Sequence, residues 1–124
     1  DVMVAGSQTP MVNADASLKD ALLAMSSGQL GFLVITNHSN ELAGVFSDGD
    51  LRRALDRGID INHTSIADVM TPGGHCVEAT QPAVKALELM EKHKIYALPV
   101  IDAQHKVCGA LNMHSLFQAG VVQV

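Results

Sequence analysis

Ser47-x-x-Asp50 is the stretch of this chain with the most chemistry available to it. An ionised carboxylate makes charge-assisted, often bidentate, bonds to a vicinal diol, and a hydroxyl with free amides at a helix start meets a phosphate. Gly49 lies between the two, and Arg52 and Arg53 follow directly, able to neutralise an anionic ligand. Neighbouring helical side chains point about 100° apart, so at most one of these arginines faces that ligand. The same residues also have a local reading, in which Ser47 and Asp48 cap a helix and Asp50 favours its positive end. The four-residue pattern leaves both readings open.

Other reactive residue types are scattered. Gly73-Gly74-His75 combines two permissive backbones with an imidazole; it fits amides that approach a ligand or an ordinary turn. No two of His38, His63, His75, His93, His105 and His114 stand at i, i+4 or short-loop ligand spacing, so no metal site is expected. Asp48 and Asp50 have no paired base in view, so no catalytic residues are assigned. Cys76 and Cys108 lie in strand-like apolar runs without CxxC spacing and read as small hydrophobes rather than a disulfide.

The elements that must position these residues come in two sets. In the first, Ser17 caps a helix whose buried face is Leu18, Ala21, Leu22 and Met25, stopped by Gly28. In the second, Thr80 caps, Pro82 sits in the first turn, and Ala83, Ala86, Leu87 and Met90 form the matching face. Each helix precedes a predicted hairpin: Phe32 to Thr36 with Leu42 to Phe46, and Tyr96 to Ile101 with Val107 to Leu111. A short final helix follows each, from Ser47-Asp48 to Gly58 and from Asn112 to Gly120, and Ser65 to Asp68 reads as a small capped turn.

The two sets are one unit written twice. Residues 12–51 and 77–116 align without a gap at an offset of 65, keeping Val12/Val77, Ala21/Ala86, Met25/Met90, Leu33/Leu98 and Gly44/Gly109. Asp-Val-Met precedes both copies. The apolar skeleton persists while Asp50 faces Ser115 and Ser47 faces Asn112, so function is expected in one copy more than the other. With 124 residues, units 1–62 and 63–124 are each marginal alone and better stabilised together. Hydrophobic residues make up 48% and aromatics 3%, which calls for an aliphatic core, and the net charge of −5 argues against a nucleic-acid surface. No apolar run is long enough to span a bilayer and no signal peptide is visible, so a cytoplasmic location without membrane contact is expected; a start at Asp1 suggests a piece of a longer protein.

The element order, the Asp-Val-Met leader, the strand Tyr96 to Asp102 and the junction Gly44 to Leu51 resemble a pair of CBS domains, or Bateman module. More narrowly, Phe46 to Arg53, Ser65 to Gly74 and Asn112 to Val122 resemble the carboxy-terminal CBS pair of bacterial D-arabinose 5-phosphate isomerases. The resemblance implies an α/β (α+β) fold of two strand-helix-strand-strand-helix units packed with pseudo-twofold symmetry. It also implies a regulatory, non-catalytic role beside the isomerase domain of a longer chain, a homo-oligomer, and no required cofactor.

CBS pairs hold nucleotides between their copies, and Ser47-x-x-Asp50 matches the family's ribose-binding element. The implied site comprises Ser47, Gly49, Asp50, Arg53, the loop Gly73, Gly74 and His75, and backbone of Ile95, Tyr96 and Ala97. Asn112, His114 and Ser115 would form a weaker second site, since the carboxylate is missing there. Adenylate binders often place basic residues where this chain has Gly31 and Phe32, so the expected effector is a nucleotide or sugar nucleotide, with CMP-Kdo, the product of the family's pathway, preferred. The alternative is a structural oligomerisation module with a vestigial cleft.

Overall fold

A computed structural model describes residues 4–5, 10–28, 32–95 and 97–112. The order is β1 (Val4–Ala5), β2 (Met11–Asn13), α1 (Leu18–Gly28), β3 (Phe32–Thr36), β4 (Leu42–Ser47), α2 (Asp48–Asp56), two 3-10 turns (Ile61–His63 and Ile66–Asp68), β5 (Thr71–Pro72), β6 (Val77–Glu78), α3 (Ala83–His93), β7 (Ala97–Ile101) and β8 (Val107–Asn112). The result is a mixed α and β protein with two four-stranded sheets, ordered β2-β3-β4-β5 and β1-β8-β7-β6.

The sheets repeat each other down to their irregularities. In each, a short strand runs parallel to the first arm of an antiparallel hairpin, β2 on β3 and β6 on β7. The hairpins shift register at equivalent points, Ile35/Thr36 and Val100/Ile101. Their turns repeat as well: the Asn37 Oδ1 accepts the Ser39 and Glu41 amides, and the Asp102 Oδ1 accepts those of Gln104 and Lys106. Asn40 and His105 adopt the left-handed conformation at matching places, φ 62° and 64°. Different side chains thus close one turn geometry.

The outer strands do not follow the halves of the sequence. β5 pairs with β4, and β1, from the start of the chain, pairs with β8. Residues 10–74 consequently form one compact unit, and residues 1–9 with 75–124 form the other. A boundary between 62 and 63 follows the repeat, whereas packing assigns residues 63–74 to the first unit. Ile66 is fully buried there, its N–H donates to the Ala16 carbonyl at 3.0 Å, and the Leu18 N–H donates to Thr64 at 2.8 Å.

Each unit has its own aliphatic core. In the first, Leu18, Ala21 and Met25 of α1 pack with Leu33, Ile35, Phe46, Ala54, Ile66 and Val69, with Leu22 and Leu51 at the margin. In the second, Ala86 and Met90 of α3 pack with Val77, Leu98, Val100 and Leu111, with Ala83 and Leu87 alongside. These are the helix faces the i, i+3, i+4, i+7 spacing predicts.

Ser17 caps α1 through its Oγ, which accepts the Asp20 N–H at 3.1 Å. Thr80, by contrast, does not cap α3. Pro82 occupies the cap position at φ −63°, ψ 149° without a side-chain bond; a proline disfavours the helical conformation in the residue before it, so Gln81 does not become the first helical residue after a Thr80 cap. Gln81 serves the turn instead, its Oε1 accepting the Glu78 N–H at 2.8 Å. The expected final helix of the second copy lies outside the described residues.

Candidate functional site

The second arm of the first hairpin delivers Ser47 to the start of α2, in extended backbone at φ −127°, ψ 172°. A capping box results: the Ser47 Oγ accepts the Asp50 N–H at 3.4 Å, and the Asp50 Oδ2 accepts the Ser47 N–H at 3.0 Å. The Ser47 hydroxyl also stands 3.2 Å from Oδ2. The other carboxylate oxygen, Oδ1, accepts from the Arg53 guanidinium at 2.5 Å and the Thr71 hydroxyl at 3.0 Å. Asp50 is only 6% exposed, and this set of partners is what makes burial of its charge tolerable.

Thr71 reaches Asp50 because β5 lies tight against β4. A Cβ added at Gly44 would sit 2.5 Å from the Thr71 carbonyl oxygen and 2.8 Å from the Met70 sulfur. Only a residue without a side chain admits that approach. Beside Asp50 opens a groove of about 540 Å³ lined by Arg53, Asp56, Arg57, Asp68, Val69, Met70, Thr71 and Pro72. Its walls carry two guanidiniums and three carboxylates. Arg53 lines it, and the exposed Arg52 does not. Gly49 faces the same corner: a methyl there would come within 3.5 Å of the Arg53 guanidinium.

Other expected site residues are distributed differently. Gly73 and Gly74 have positive φ, 64° and 99°, but the Gly73 N–H is spent on the Ala43 carbonyl at 2.9 Å, extending the β4–β5 edge rather than awaiting a ligand. His75 belongs to the second unit, where its ring stacks on His93 at 3.6 Å with planes 16° apart. Ile95 closes the end of α3, its N–H donating to Met90 at 3.0 Å, and Ala97 begins β7 opposite Asn112. Tyr96, His114 and Ser115 lie outside the described residues.

Sequence reasoning missed Asp56, Arg57, Asp68 and Thr71 as groove residues. Arg53 and Arg57 follow Asp50 at helical spacing, which is a usable signal. Thr71 left a fainter one: it stands where the first leader has Val4, a polar substitution in a repeated apolar segment.

Two His–Asp pairs lie away from the groove. His63 binds Asp60 at 2.7 Å and holds that carboxyl below its usual range, helped by the Asn62 amide; His38 meets Asp15 at 3.2 Å. Burial, then Glu78, pushes the Cys76 thiol up, and burial, then Asp102, does the same at Cys108. Among the described residues no three His, Cys, Asp or Glu side chains group as metal ligands, and no helix is long and apolar enough to cross a membrane.

Two copies of a strand-helix-hairpin unit, one leading through a capped carboxylate into a helix, define a tandem module of a known kind. The chain belongs to the CBS domain family, whose model matches residues 1–57 and again 66–121. More particularly, it is 49% identical over 122 residues to arabinose 5-phosphate isomerase KdsD of Pseudomonas aeruginosa and 47% identical to that of Escherichia coli K12. Those matches cover 98% of this chain and 37% of the relatives' length. Among solved structures it is similar to CBSX2 of Arabidopsis thaliana in complex with AMP, at 25% identity and a TM-score of 0.81, over 98% of this chain and 93% of that one.

Proposed function

We propose that this chain is the regulatory CBS pair of a D-arabinose 5-phosphate isomerase and that the Asp50 groove receives a nucleotide or sugar nucleotide effector, CMP-Kdo before others. The observation that carries the reading is the buried Asp50 carboxylate fronting a groove whose walls include Arg53 and Arg57. A ribose diol suits the carboxylate, and a phosphate or sugar carboxylate suits the guanidiniums. The similarity to isomerases supports the parent activity, and the AMP complex of CBSX2 supports nucleotide binding in general. Against adenylate stands Phe32, 8% exposed, at a place where a cation is common in adenylate binders.

Ser47, Gly49, Asp50 and Arg53 are the proposed contacts in the first unit. Asn112, His114 and Ser115 are the proposed weaker contacts of the second unit, and the chain works as a homo-oligomer in the cytoplasm. Calorimetry with CMP-Kdo, CMP, AMP and ATP tests the reading: CMP-Kdo or CMP binds most tightly, near one per chain. Stronger adenylate binding overturns the choice of effector.

One observation favours a second reading, an oligomerisation module with a vestigial site: every acceptor position of Asp50 is filled by the chain itself. In that case no nucleotide binds and Asp50→Ala alters stability alone.

A further inference from the structure

A carboxylate offers about four lone-pair positions, and those of Asp50 are taken by the Ser47 amide, the Ser47 hydroxyl, Arg53 and Thr71. A diol therefore gains Asp50 only by displacing a partner. The three residues differ in how easily they leave. Ser47 is bound through its own backbone in the capping box, and Thr71 is pinned by the pairing of β5 with β4 over Gly44. Arg53 is held at its tip, while its side chain is 68% exposed. It is the partner that can swing away without unfolding anything.

Resting on the reading of this groove as an effector site, we infer that binding is an exchange. The ligand's vicinal diol takes Asp50 Oδ1 from Arg53, and the released guanidinium takes an anionic group on the same ligand. The groove also carries Asp56 and Asp68, which oppose an incoming anion, so Arg53, joined by Arg57 one turn on, is required to offset them. A neutral diol would break the Asp50–Arg53 pair and return nothing to the arginine. The exchange thus selects ligands that carry both a diol and a phosphate or carboxylate, and it makes Arg53 the residue that sets this specificity, closing the site against uncharged nucleosides.

Calorimetry on the 124-residue chain, with cytidine and CMP as probes, tests the exchange. The unsubstituted protein should prefer CMP over cytidine by about tenfold or more, as for one hydrogen bond to a charged group. Arg53→Met should weaken CMP and tighten cytidine, because Oδ1 is then open to the diol; cytidine binding gained only in this variant also supports the exchange. Arg53→Lys, which keeps the charge without the planar fork, should fall between, and it carries the test if Arg53→Met does not fold. A cytidine affinity unchanged or lowered in the variants, with CMP still bound by the unsubstituted chain, overturns the exchange and leaves the effector site standing. Failure of both probes to bind either protein overturns the exchange, and failure of CMP-Kdo, AMP and ATP as well overturns the effector reading with it.

Discussion

Four donors converge on the buried Asp50 carboxylate, and removing it takes the acceptor from the Ser47 amide, the Ser47 hydroxyl, Arg53 and Thr71 at once, although Arg53 and Thr71 are exposed enough to turn to water. Asp50→Ala should cost about 1–3 kcal/mol of stability without any ligand, read as a lower urea midpoint at unchanged slope. Thr71→Val removes one donor and leaves three, so it should cost only about 0.5–1.5 kcal/mol in the same measurement. Gly44→Ala acts by a different route, forcing a methyl against the Thr71 carbonyl and the Met70 sulfur; about 1–3 kcal/mol is expected, with loss of the Thr71 contact to Asp50. In the sequence, Ser47 and Asp50 were legible three residues apart, since capping and ligand binding ask for the same residue types. Their coexistence in one carboxylate was not legible, because Thr71 joins from a strand too short to show a pattern.

At the scale of elements, the stacked pair His75–His93 joins the segment before β6 to the end of α3. Partial desolvation, then His75 and Lys92, holds the His93 imidazole below its usual value of 6.5. The folded state therefore binds fewer protons than the unfolded chain between that lowered value and 6.5. Stability contributed by His93 in its neutral form is full above 6.5 and falls as pH drops toward the lowered value. Thermal melts from pH 8 to pH 5 should show this loss, and His75→Ala should reduce its slope by removing both the second contribution and the share of desolvation that the stacked ring supplies. Element identity was largely readable here: the faces Leu18-Ala21-Leu22-Met25 and Ala83-Ala86-Leu87-Met90 obey one period, and both hairpins are bounded by polar turns. The start of α3 was not, because Pro82 overrides the capping preference of Thr80. The edge strands β1 and β5 were not either, since two residues carry no alternation.

For the whole molecule, Leu23 on α1, Leu55 on α2 and Val84 on α3 remain 64%, 49% and 52% exposed, and a second copy of the chain would cover them. Sedimentation of the isolated chain should show a concentration-dependent dimer, and a monomer at concentrations well above micromolar would contradict self-association. The pairing of β1 with β8 has a consequence for how the chain is made. The first sheet closes within residues 11–72: Gly44 needs only Pro72. Val4 must wait for Ala110, so the second sheet cannot be completed until nearly everything between them has been synthesised. Val107–Asn112 takes its outer neighbour from residues made long before it, and without them that edge would present a bare row of amides and carbonyls, the hazard of any unshielded edge. A chain trimmed of residues 1–5 would keep that row open for good, and its preferred remedy would be the matching strand of another molecule.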